Sequence, residues 1–131
     1  MKKLLTLSLL LCLSLFAEPE WADSYDKGLE QAAAEQKMVL VMLSREDCDA
    51  CWYMENIVFE DDDLVDEITP EFVWVHIDVN DDRVPQAMKY VGTPTFHFLN
   101  SEGKKIGHLN GGTNIQDFRN KIKEVKLKKQ G

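Results

Sequence analysis

Cys48 and Cys51 stand three positions apart in the stretch EDCDACWYME, residues 46–55, and a pair at that spacing has three chemical uses. It can exchange electrons as a dithiol and disulfide, give two thiolates to a metal, or close a small loop. As a staple it gains little, because a bond closing so short a loop removes little entropy from the unfolded chain. Structural zinc wants four ligands, and no second cysteine pair exists. The histidines His76, His97 and His108 fall on expected strands, where packing or hydrogen bonding is their ordinary state, so no metal site is assigned. Haem attachment needs a histidine directly after the second cysteine, and Trp52 stands there instead. The stronger metal alternative is copper handling. Cys48, Cys51 and Met54 offer soft sulfur ligands along one helical turn, a set that suits Cu(I), although a methionine so placed ordinarily points into the core.

The third cysteine, Cys12, lies in a segment of a different kind. MKKLLTLSLLLCLSLFA has two lysines, an apolar run and then a small residue, the layout of a secretory signal peptide. Residues 1–17 are therefore expected to be a cleaved leader and residues 18–131 a single domain. The run is too short to span a bilayer comfortably, and Cys12 follows Leu11 rather than a small residue, so neither a membrane anchor nor a lipoprotein is expected. The expected location is the periplasm or another exported compartment, where disulfides persist.

The bulk composition agrees with one globular domain: 131 residues, 44% hydrophobic and 29% charged. Fifteen lysines and arginines against 23 acids give a net charge of -8, and losing Lys2 and Lys3 with the leader makes the chain more acidic still. Such a surface argues against nucleic acid as a partner.

The elements that must position the pair follow from periodicity. Residues 21–36 carry Tyr25, Leu29, Ala32 and Ala33 at helical spacing, with Asp23 or Ser24 to cap the start. MVLVML, residues 38–43, is an unbroken apolar run and reads as a strand covered on both faces. A helix is expected to begin near Cys51 and to turn Met54, Ile57 and Val58 inward, with FEDDDLVDEI a broken or second helix. FVWVHIDV, residues 72–79, puts Val73, Val75, Ile77 and Val79 on one face and Phe72, Trp74, His76 and Asp78 on the other. NDDRVP reads as a loop and PQAMKYV as a short helix ending at Gly92. TFHFL and KIGHL form an antiparallel hairpin with Gly103 in its turn, and Asn114 caps a last helix that faces Ile115, Phe118, Ile122 and Val125 inward. No internal repeat or interdomain linker interrupts this order.

A strand, then Cys-x-x-Cys opening a helix, a parallel strand, and GTPT at residues 92–95 ahead of a hairpin and closing helix: this order resembles the thioredoxin-like superfamily. The resemblance covers residues 21–126. CDACWYME looks most like the exported Cys-x-x-Cys-x-x-Met-Glu subgroup, similar to the C-terminal domain of disulfide-interchange reductases, and WADSYDKGL at residues 21–29 is similar to that group's first helix. The resemblance implies an α/β fold, a central mixed sheet with helices on both faces. It implies a thiol-disulfide oxidoreductase whose redox group is the Cys48–Cys51 disulfide, with no other cofactor. Cys48 would be the nucleophile and Cys51 the resolving thiol. Pro94 would be a cis-proline, and Thr93 would present backbone groups to a bound peptide. Partners would be protein thiols and disulfides, with a membrane thiol-reductant transporter as electron source and a monomeric chain. A binding module with vestigial cysteines is the third reading, and it lacks exchange activity.

Exchange requires a thiolate, and a free cysteine near pKa ~8.5 is mostly protonated at neutral pH. A cysteine at a helix start meets unpaired N–H groups and the positive end of the helix dipole, and both favour the thiolate. Glu46, Asp47 and Asp49 oppose this by placing like charge beside Cys48. A less stabilised thiolate makes a better electron donor, so the reducing direction is expected. One feature departs from the family: the strand position six residues before the first cysteine, often a buried aspartate, is Met42 here. Glu55, one turn beyond Cys51, is the candidate substitute as proton acceptor, with helix capping as its alternative role.

Overall fold

Residues 18–129 are described by a computed structural model; the expected leader lies outside the described residues. The architecture begins with strand β1, Met38–Ser44, in which all seven residues are buried. An unbroken apolar run demands cover on both faces, and β1 receives it. It pairs in parallel with β2, Phe72–Asp78, and antiparallel with β3, Thr95–Leu99, which pairs antiparallel with β4, Lys105–Asn110. The sheet order is β2-β1-β3-β4. Trp21 adds a parallel bridge beside Trp74, with the Ala22 N–H donating to the Trp74 carbonyl at 2.8 Å.

Alternation along the strands divides the core in two. Leu40, Met42, Trp74, Phe96 and Phe98 face α2, Asp49–Asn56, α3, Asp62–Ile68, and α4, Ile115–Lys129. Val41, Leu43, Val75 and Ile77 face the other way, toward α1, Tyr25–Glu35, through Ala32. The expected mixed sheet with helices on both faces is thus the observed one. The closest approach of α1 is at buried Gly28, where a Cβ would strike the Cγ2 of Val75, so this helix lies against β2 at backbone distance. Its start is capped by Ser24, whose hydroxyl accepts from the Lys27 N–H at 3.1 Å. Asn114 likewise accepts from the Asp117 N–H at 2.8 Å at the start of α4.

Three expectations need correction. The segment PQAMKYV is no helix: its single turn has the Met88 N–H donating to the Pro85 carbonyl. Seven residues cannot carry the cost of helix nucleation when only Met88 is buried and Val91 is 98% exposed. Ala33 is exposed, because the face of α1 is set by Gly28 and Ala32. Ile57 is 44% exposed, because α2 ends at Asn56 and the chain leaves helical geometry at Ile57 (φ -120, ψ -60) before a 3-10 turn, Val58–Glu60. The helix expected near Cys51 is α2, which begins at Asp49 with Cys48 as its N-cap.

His97 is buried at the centre of β3, and its Nε2 lies 2.9 Å from the Lys89 carbonyl, tying the 85–94 loop to the sheet. Burial pushes its imidazolium below the ordinary value of 6.5, with Lys105 and His108 acting in the same direction and the Lys89 hydrogen bond opposing them. A histidine held neutral in the fold gains its proton first in the unfolded chain, so its contribution is fully present above pH 6.5 and is lost as pH falls below that value. Melting temperature is therefore expected to fall between pH 8 and pH 5 more steeply in the wild type than in His97→Gln. Equal slopes would remove His97 from the acid response.

Candidate active site

The site is built where β1 stops. After Ser44 the chain turns through Glu46 and Asp47, the latter at φ 54, a left-handed conformation that aspartate tolerates better than most residues. Cys48 follows as the N-cap of α2: its backbone is extended (φ -120, ψ 101) and its Sγ accepts from the Cys51 N–H at 3.2 Å. The side chain thus does the work that serine or aspartate does at an ordinary cap. Asp49 in the first turn complements the helix dipole.

One helical turn returns Cys51 beneath Cys48, and the two are joined by a disulfide with their Cα atoms 5.2 Å apart. Their exposure differs. Cys48 is half-buried, whereas Cys51 is 2% exposed and belongs to the core with Met42 and Met54. Thr93 comes from 45 residues downstream: its hydroxyl donates toward the Cys48 sulfur at 3.4 Å, and its carbonyl oxygen lies 3.5 Å from the same sulfur. The Thr93–Pro94 peptide is cis, as the family resemblance implied. A cleft of about 380 Å³ opens beside the disulfide, lined in part by Glu46, Asp47, Asp49, Glu55 and His76.

Met54 goes elsewhere. It is fully buried and its Sδ accepts the Thr113 N–H at 3.4 Å, so a three-sulfur copper set would require Met54 to leave the core. Among the described residues no three histidine, cysteine, aspartate or glutamate side chains gather as a metal set.

The family model described as "Thioredoxin-like domain" matches residues 25–126. The chain belongs to this family. Within it, this thioredoxin-like protein is 32% identical over 89 residues to the thiol:disulfide interchange protein DsbD of Pseudoalteromonas atlantica. The match takes in 64% of the chain but only 15% of that much longer relative. Among solved structures it is similar to a thioredoxin from Thermus thermophilus, with a TM-score of 0.70 and 27% identity over 84% of this chain and 88% of that one. It shares its fold with a DsbH oxidoreductase, at a TM-score of 0.66 and 19% identity over 82% and 84% of the two chains.

Of the five residues singled out from sequence, the structure of this thioredoxin-like protein brings Cys48, Cys51 and Thr93 into contact, with Pro94 next to Thr93 across the cis peptide. The fifth, Glu55, does not cap the helix. Its Oε1 lies 2.8 Å from the Nε2 of His76 on β2. Both side chains are about one-third exposed, and the ring of Trp21 meets His76 edge-on at 5.5 Å. His76 was read from sequence only as a strand histidine. The signal that could have found it was its place on the same strand face as Trp74 and Asp78, the face that α2 covers.

Proposed function

We propose that this protein is an exported thiol-disulfide oxidoreductase that reduces disulfides in protein substrates. The observation that carries the reading is the asymmetric disulfide: Cys48 half-open at a helix N-terminus beside Thr93, and Cys51 buried beneath it. In the reduced protein the Cys48 thiolate attacks one sulfur of a substrate disulfide, and the other sulfur leaves as a thiolate. The Cys51 N–H and the start of α2 favour the charged Cys48 sulfur. Cys51 then loses its proton and attacks the Cys48 sulfur, the second substrate sulfur departs with its electron pair, and the protein is left oxidised. Two electrons have passed to the substrate, and two thiols have replaced its disulfide.

Thr93 and Pro94 form the wall against which a substrate chain lies, with Thr93 backbone groups facing the mixed disulfide. Glu55 receives the Cys51 proton in place of the acid missing at Met42. A membrane thiol-reductant transporter returns the protein to the dithiol state, consistent with the leader-like residues 1–17 and the similarity to DsbD.

The acids set the direction. Glu46, Asp47 and Asp49 all line the cleft at Cys48, and their charge disfavours the thiolate that a strong oxidant stabilises. The equilibrium reduction potential against glutathione is therefore expected to lie on the reducing side, toward the roughly −270 mV of thioredoxin-type donors. A potential near about −120 mV would contradict the reducing direction and make the protein a disulfide donor.

A further inference from the structure

The position where the family often carries a buried acid is occupied by Met42, and the register of the sheet shows what stands next to it. Met42 on β1 is the Cα partner of His76 on β2. Met42 and Cys51 belong to one apolar cluster, His76 stands on the strand beside Met42, and Cys51, Glu55 and His76 all line the cleft at the disulfide. Glu55 follows Cys51 by four residues on α2, which places the two on one helix face. The carboxylate and the imidazole meet at 2.8 Å across the α2–β2 junction. A carboxylate only accepts, so the Nε2 of His76 donates. Trp21 packs edge-on against the imidazole, and that contact limits the positions the ring can take. Asp78, Arg45, Glu46, Asp47 and Asp49 are the other charged groups lining the same cleft.

We propose that His76 is a positioning residue for the exchange reaction: its Nε2–H holds the Glu55 carboxylate beside Cys51, so that the α2–β2 pair does the work of the strand acid that Met42 replaces. The inference rests on the reading of Glu55 as proton acceptor. In the step concerned, Cys51 gives its proton to Glu55, its sulfur bonds to the Cys48 sulfur, and the mixed disulfide breaks to release the partner thiolate. Without His76 the glutamate is a partly exposed rotor with several positions open to it, and the fraction of time spent beside Cys51 falls.

The test uses the full reduced chain and 5,5′-dithiobis(2-nitrobenzoate) in stopped flow. The first thionitrobenzoate released reports attack on the reagent, and the second reports closure of the Cys48–Cys51 bond. The ratio of the second rate to the first is expected to fall about tenfold in Glu55→Gln, His76→Leu and His76→Asn, whose side chain is too short to reach Glu55. His76→Gln, which can still donate an N–H at similar reach, is expected to recover most of the loss. The Glu55→Gln/His76→Leu double variant is expected to be no slower than Glu55→Gln alone, because the histidine acts through the glutamate. If Glu55→Gln slows closure while the leucine and asparagine variants keep the wild-type ratio, the role of His76 is overturned and that of Glu55 stands. The role of His76 is equally overturned if His76→Gln is as slow as His76→Leu, or if the losses in the double variant multiply. If Glu55→Gln leaves the ratio unchanged, the proton-acceptor reading falls and takes this proposal with it.

Discussion

Replacing Cys48 by serine is expected to abolish turnover of a protein disulfide such as insulin, by at least about a thousandfold, because the variant has no thiol where the cleft is open. Cys51→Ser is expected to lose multiple turnover to a similar degree for a different reason. It retains the half-exposed sulfur beside Thr93 and can attack once, but nothing beneath Cys48 displaces the substrate. The two variants therefore separate in a single-turnover experiment: Cys51→Ser consumes about one equivalent of disulfide and stops, whereas Cys48→Ser consumes none. The buried position of Cys51 underlies this asymmetry, since a sulfur 2% exposed reaches a substrate only through its neighbour. If instead the wild type reduced insulin no faster than the uncatalysed background and neither variant changed that rate, the cysteines would be vestigial and the chain a binding module.

Phe59→Ala is expected to have the largest effect on stability of any substitution away from the cysteines. Phe59 is fully buried on the 3-10 turn that follows α2. Its ring meets Trp74 and Phe118 at 5.1 Å, Phe96 at 6.0 Å and Trp21 at 6.2 Å, each edge-to-face. One side chain thus joins the N-terminal segment, β2, β3 and α4. Truncation removes these contacts and leaves a cavity that four aromatic rings cannot readily refill, a loss of about 3–5 kcal/mol. Against a total stability of roughly 5–15 kcal/mol for a domain, that is a large share. Urea unfolding should show the midpoint falling by the corresponding amount with the slope retained. A loss below about 1 kcal/mol would mean that the cluster repacks and that Phe59 is not its hub.

Phe59 also shows why part of this molecule was hidden in its sequence. The strands declared themselves because MVLVML and FVWVHIDV have patterns that belong to a sheet, and their parallel pairing in register bears that reading out. The closing helix was legible for the same reason: Phe118, Ile122 and Val125 recur at helical spacing and all three are buried. Periodicity has nothing to say about a three-residue turn, so Phe59 looked like one aromatic residue at the head of an acidic stretch. The mistaken helix at PQAMKYV is the converse case. Its composition allows a helix, but the loop is fixed by tertiary bonds, among them His97 taking hold of the Lys89 carbonyl.

The candidate site divides along the same line. Cys48 and Cys51 are local, and three positions of sequence are enough to put them on one helical turn. Thr93 lies 45 residues beyond Cys48 with Pro94 next to it, and only resemblance to a family connected them to the cysteines before the fold did. The pairing of Glu55 with His76 could be read from neither source. It depends on how α2 crosses β2, a relation between residues 21 positions apart that no spacing rule encodes. Met42 stands where the family often carries an acid, and the histidine beside it in the next strand comes into view only with the register of the sheet.

The central claim is that Cys48 is the sulfur that joins the substrate, and the measurement that reaches it most directly is peptide mapping of a trapped adduct. Cys51→Ala, reduced and mixed with insulin, should accumulate a covalent complex that dithiothreitol dissolves and whose linking peptide contains Cys48. Failure of the reduced variant to form such a complex would contradict the account.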